Sequence, residues 1–261
     1  MSKSELIEKL KKDLLDTGFP LELSISNTLK RNGWGVIHNS YYIDRDDQKG
    51  REIDLIARTF QYKEIDEEKF QEIAFSLIIE IKKAVKKPWV IFTTEKRGLL
   101  EDFYRLKYVS SGFNIETYRL NEVLFSNGPK VNETLGRNFY EGFSGNGARD
   151  DIYKALTGTV KALEHFKEVS VYKTEAAGRL MEIFESLVII EGKLYEAFLD
   201  EDGELQVEER QYIQSTFNYL SPNYNTGDGN IVSIITIDYL KDLLLDRRNR
   251  LEDIFRGYLK M

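Results

Sequence analysis

The run Phe75-Ser-Leu-Ile-Ile-Glu-Ile-Lys-Lys83 restricts this chain more than any other segment. Its apolar, β-branched content reads as a strand, yet an acid and a base stand inside it. Side chains alternate faces along a strand, so Leu77, Ile79 and Ile81 point one way while Ile78, Glu80 and Lys82 point the other. Burying Glu80 and Lys82 costs free energy unless they are paired, bind a metal or sit at the end of the sheet.

Arg51-Glu-Ile-Asp-Leu-Ile-Ala57 repeats the pattern, because Asp54 interrupts an apolar run with Ile53, Leu55 and Ala57 on the opposite face. Neighbouring strands lie about 5 Å apart. If the registers match, Asp54 and Glu80 converge on an oxygen-rich site suited to a hard divalent cation, Mg2+ or Mn2+, with Lys82 beside it. Such a pair would hold one or two ions that polarise a phosphodiester and lower the pKa of a bound water. Lys82 would orient that water or stabilise developing negative charge. The backbone carbonyl of Ile81 would complete the ligand shell, and Glu22, on the preceding helix, is a further acid.

In these residues the chain resembles the PD-(D/E)XK nuclease superfamily: a helix with an acid (Glu22), a strand with Asp (Asp54 in REIDLIA) and a strand with Glu-X-Lys (Glu80-Ile81-Lys82). Ile53 stands where the pattern commonly has Pro, and the 26 positions from Asp54 to Glu80 are long for the motif. The intervening YKEIDEEKFQE must form a hairpin extension or a charged loop. The resemblance covers roughly residues 20 to 120. It implies a restriction-endonuclease-like α/β/α core with a mixed central sheet, magnesium dependence and hydrolysis of DNA, less often RNA. A role in microbial genome defence, antiviral defence or DNA processing, and a homo-oligomer or a subunit of a larger complex, follow from the same likeness.

Periodicity places helices at about 3–16 and 21–31, strands over WGVIHNSYYI, EIDLIARTF, FSLIIEIKK and WVIFTT, a helix at 99–109 and a strand over FNIETYRL. A Gly- and Asn-rich stretch at 126–149 divides the chain into a nuclease-like core, 1–125, and a C-terminal part, 150–261, for substrate selection, oligomerisation or docking. That part reads as helices at 150–167 and 176–185, then SLVIIEG, KLYEAFLD, LQVEERQYIQSTFNYL and IVSIITI as an antiparallel sheet, and a closing helix at 239–258: an α+β arrangement.

The sequence has no cysteine and only two histidines, His38 and His165, so a metal must be held by oxygen and neither histidine is given a role. No apolar stretch is long enough to span a membrane, and no signal peptide opens the chain, so a cytoplasmic protein is expected. The net charge of −7 opposes non-catalytic coating of nucleic acid. Basic residues nevertheless cluster from Lys82 to Lys107, and Lys83, Lys86 and Lys87 are the candidate phosphate contacts. Three plainer readings stand beside the nuclease. One is a nuclease-like fold that binds nucleic acid or protein without catalysis. Another is a structural subunit, which the acidic balance and the aromatic C-terminal half support. The last treats Asp54, Glu80 and Lys82 as a salt-bridge cluster, contributing about 0–1 kcal/mol if exposed.

Overall fold

The computed structural model describes residues 2–66, 69–95, 107–113, 116–125, 134–145, 150–173, 179–225 and 229–258. Helices α1 (Lys3–Asp16) and α2 (Phe19–Arg31) lead into an antiparallel trio, β1 (Gly35–Asp44), β2 (Lys49–Asp66) and β3 (Lys69–Glu95). Then come β4 (Lys107–Ser111), α3 (Thr117–Phe125), β5 (Thr134–Glu141), α4 (Asp150–Lys173) and β6 (Arg179–Leu199). The chain closes with β7 (Leu205–Arg210), β8 (Tyr212–Thr216), the short pair β9 (Leu220–Ser221) and β10 (Tyr224–Asn225), β11 (Ile231–Thr236) and α5 (Leu240–Tyr258). The segment between Asp54 and Glu80 is a hairpin extension, with β2 and β3 paired from Leu55–Ile79 out to Asp66–Lys69.

Two long strands organise the sheet. β3 and β6 run parallel from Gln71–Arg179 to Phe92–Ala197. On its other side β3 carries first β2 and then β5, while β6 carries β4, β11 and β7 in succession. Antiparallel β8 beside β11 reaches β5 through Gly136 and Ser215, so β3, β5, β8, β11 and β6 close a ring. Glycine is required there, since a Cβ on Gly136 would lie 2.5 Å from Ile91 and 2.7 Å from the Ser215 hydroxyl.

Alternating side chains build a core on each face. Leu55, Ala57, Leu77, Ile79, Leu187 and Ile189 meet Ile25 and Leu29 of α2, with α3 and α5 supplying Leu120, Leu124, Leu243 and Leu244. On the opposite face Ile56, Ile78 and Phe184 pack with Ala162 and Leu163 of α4, and Val188 and Ile190 with Leu156 and Val160. The protein is thus a mixed α/β fold with a mixed central sheet between helices.

Several expectations need correction. Of the strand expected over FNIETYRL, Asn114 and Ile115 lie outside the described residues, and Thr117 to Leu120 are helical: α3 occupies Thr117–Phe125 because Leu120 and Leu124, one helical turn apart, are both fully buried. Of the helix expected at 99–109, residues 99–106 lie outside the described residues and 107–109 belong to β4. No helix spans 179–185, where β6 begins; Met181 and Ile183 face one core while Phe184 faces the other, a period of two. α4 continues to Lys173, past the expected end at 167. LQVEERQYIQSTFNYL is split, with β7 on β6 and β8 on β11. The supposed linker, 126–149, contains β5, and β6 is parallel to β3 and β11, so β6, β7, β8 and β11 complete the first sheet, and among the described residues only the two-residue strands β9 and β10 form a separate antiparallel pair.

One buried ion network ties α4 to the β1–β2 turn. Lys161 donates to both oxygens of Asp44, at 2.8 and 3.0 Å, and lies 2.8 Å from Asp46. Its ammonium also stands 4.7 Å from the Tyr219 ring centroid and 5.1 Å from that of Tyr224. Removing the cation would leave the buried Asp44 with Arg51, at 2.9 Å, and the Asp46 amide, at 3.1 Å, as its remaining donors. Lys161→Met is therefore expected to lower unfolding free energy by about 1–3 kcal/mol. Urea denaturation measures this, and an unchanged midpoint would contradict the assigned role.

Candidate active site

Pairing of β2 with β3 ends at Leu55 opposite Ile79, which makes Asp54 and Glu80 the next opposed positions. The strands fork there. In place of a ladder carbonyl, the Asp54 carboxylate accepts the Ile81 amide at 2.6 Å. On the other flank of β2, Asn39 falls opposite Asp54 in the β1 register and adopts a left-handed φ of 52°, a conformation asparagine tolerates better than most residues. Asp54 is thus held at a bend where regular pairing lapses on both sides.

Glu80 and Lys82 share a strand face, and the ammonium donates to Oε1 of Glu80 at 2.6 Å. The Glu80 side chain retains 14% of its exposure and Lys82 30%. Burial, opposed by Lys82 and reinforced by Asp54 and Glu22, pushes the Glu80 carboxyl up to about 7. Burial also raises Asp54, with the Ile81 amide and Lys82 pulling against it and Glu52 adding to it. Burial alone would lower the Lys82 ammonium, but Glu80 and Asp54 outweigh it and hold the group above its ordinary value.

Glu22 reaches the same field from α2. Its carboxyl is raised by burial, then by Asp54 and Glu52, against Lys82. The structure therefore gathers Asp54, Glu80, Lys82 and Glu22 into one electrostatic unit. Ile81 lies at its centre: a strand residue directs its N–H and C=O to the same neighbour, so its carbonyl shares the side of the amide that bonds Asp54.

The proposed phosphate contacts are engaged differently. Lys83 donates to the carbonyls of Leu15 and Thr17, at 3.0 and 2.6 Å, and so holds the C-terminal end of α1. Lys87 pairs with Glu141 at 3.1 Å. Lys86 is exposed and makes no ion pair among the described residues. His38 bonds Ser26 at 2.8 Å in the α2–β1 contact, away from the carboxylates' hydrogen bonds.

Sequence reasoning overlooks Glu52, Tyr42, Asp151 and Gly158. Glu52 sits two residues before Asp54 and bears on both Asp54 and Glu22; regular alternation does not signal this, because Ile53 packs with Ile56 on the α4 face and not, as expected, with Leu55 and Ala57. Tyr42 is 3% exposed and Glu80 raises its hydroxyl pKa after burial and Asp44. Asp151 acts on Lys82 from α4, and Gly158 on the same helix approaches Glu80. No periodic pattern in the first half of the chain announces what α4 brings over the fork.

The donor chemistry suits a hard cation. Among the described residues no three His, Asp or Glu side chains are gathered tightly enough to hold an ion by themselves. The fork offers two carboxylates and one backbone carbonyl. Magnesium ordinarily takes one or two carboxylates and keeps several waters, and two carboxyls raised by burial gain from a cation beside them.

Comparison with known proteins gives no match among family models, curated proteins or solved structures. Among the described residues no helix is long and apolar enough to cross a membrane.

The Glu80 shift carries a pH dependence. Its carboxyl binds a proton more tightly in the fold than near the ordinary 4.5, so the protonated group favours folding. That contribution is lost as pH rises from about 4.5 through about 7, on the order of 3 kcal/mol when complete. Glu80→Gln keeps a neutral group throughout. In chelator, its urea midpoint should rise relative to wild type between about pH 5 and about pH 8; parallel midpoints would contradict the shift.

Proposed function

We propose that this protein is a metal-dependent nuclease that hydrolyses DNA phosphodiester bonds at the β2–β3 fork. The observation that carries the reading is the placement of Asp54 and Glu80 as the first opposed residues beyond the last β2–β3 pair, with Lys82 on Glu80. A restriction-endonuclease-like core is part of the proposal, supported by the mixed sheet between helical layers and the order Glu22, Asp54, Glu80-Ile81-Lys82 along the chain.

Asp54, Glu80 and the Ile81 carbonyl would hold Mg2+ or Mn2+. When bound, the ion supplies Lewis-acid activation of the phosphate and of an attacking water. Asp54 is positioned for its share by the Ile81 amide, which fixes Oδ2 and leaves the second oxygen available. Lys82 stays protonated near neutral pH, so its part is to stabilise negative charge on the phosphate oxygens and not to act as the base. Glu22 borders the site as an acid that orders water, in keeping with the influence of Asp54 and Lys82 on its carboxyl.

A binding subunit without catalysis is the second reading, and the Lys82–Glu80 ion pair favours it, because such a pair is also a self-sufficient way to bury both groups. Cleavage separates the two. Plasmid, linear duplex and single-stranded DNA, with an RNA arm, are incubated with the protein in Mg2+, Mn2+ or chelator. Metal-dependent cleavage is expected, reduced by about 10²–10³ in Asp54→Asn and Lys82→Ala variants that remain folded. Salt-sensitive binding without cleavage, unchanged by these substitutions, would favour the binding subunit.

A further inference from the structure

Glu80 uses one of its oxygens inside the protein. Oε1 takes the Lys82 ammonium, whereas Oε2 accepts no hydrogen bond among the described residues. Oε2 faces α4 at Gly158, where a Cβ would lie 3.7 Å from it and 4.0 Å from the Tyr42 hydroxyl. Both are ordinary contact distances, so an alanine methyl fits. Gly158 is also helical in a helix of 24 residues, and its φ is not among the positive ones. Neither crowding nor backbone conformation calls for glycine, and glycine is disfavoured against alanine inside a helix. What the missing methyl leaves is space against the free oxygen of Glu80.

We infer that Gly158 keeps that space open for a hydrated divalent cation on Glu80, and so sets the metal affinity of the site. The inference rests on the metal-dependent nuclease reading. A magnesium ion sits about 2.0–2.1 Å from a carboxylate oxygen, and in its octahedral shell the waters at right angles to that bond lie about 2.9 Å from the same oxygen. A methyl carbon 3.7 Å from Oε2 stands within contact distance of that ring of waters. A methyl group there excludes a water from the ion's shell and offers no donor in return. Tyr42, almost fully buried, forms the polar edge of the same space and is itself fixed between β1 and α4.

Opposite effects on stability and binding distinguish this role from packing. The full chain and its Gly158→Ala variant are compared by thermal unfolding in chelator and by calorimetric titration with Mn2+. Alanine is expected to raise Tm by about 2–4 °C while weakening Mn2+ binding by at least about tenfold. A raised Tm with unchanged Mn2+ affinity would overturn the role of Gly158 and leave the nuclease reading standing. A lowered Tm would show that glycine is needed for packing, which also overturns it. Failure of the wild-type protein to bind Mn2+ would remove the metal site and this inference with it.

Discussion

Everything at the candidate site follows from one exchange of hydrogen-bond partners: the Ile81 amide leaves the β ladder and bonds the Asp54 carboxylate. A ladder that continued past Leu55 and Ile79 would pair backbone with backbone and leave the carboxylates on the sheet face beneath α4. The fork replaces a carbonyl by a charged acceptor, satisfies a buried donor and frees the edge of β3 for ligands. Asn39 makes the bend sustainable on the β1 side, where an ordinary side chain would resist its φ.

The two helical layers then set the electrostatics. α4 covers the face that bears Glu80 and Lys82, and loss of hydration raises the carboxyls while Lys82 limits the cost. From the far layer, Glu22 of α2 feels the charges of Asp54, Glu52 and Lys82. The Lys161 network fastens α4 to the β1–β2 turn, so the spacing between Gly158 and Glu80 depends on the packing of the whole α4 face. Stability and site geometry are therefore coupled through one helix.

The strands around Asp54 and Glu80 are legible in the sequence because charged residues inside apolar alternation are rare enough to stand out, and facing registers follow from one hairpin. Glu52 is not legible in the same way, because the alternation lapses at Asp54, with Ile53 packed on the α4 face and Leu55 on the other. The pairing of β6 with β3 is not, since it joins residues about a hundred positions apart and leaves no local trace. The start of β6 reads as a helix because Ala, Met and Glu near 176–185 favour one, and tertiary pairing overrides that preference. Lysines after a strand suggest phosphate contacts, but only three-dimensional proximity shows Lys83 held by the carbonyls of Leu15 and Thr17.

Burial makes the acids at the fork costly, a cost that the proposed cation would relieve. The most direct measurement is the urea midpoint of the wild-type protein and of Asp54→Asn, each with and without Mg2+ at about pH 8, where Glu80 is largely ionised. The midpoint is expected to rise with Mg2+ in the wild type, and that rise to be lost in Asp54→Asn. Equal responses in both proteins, or none in either, would contradict that expectation.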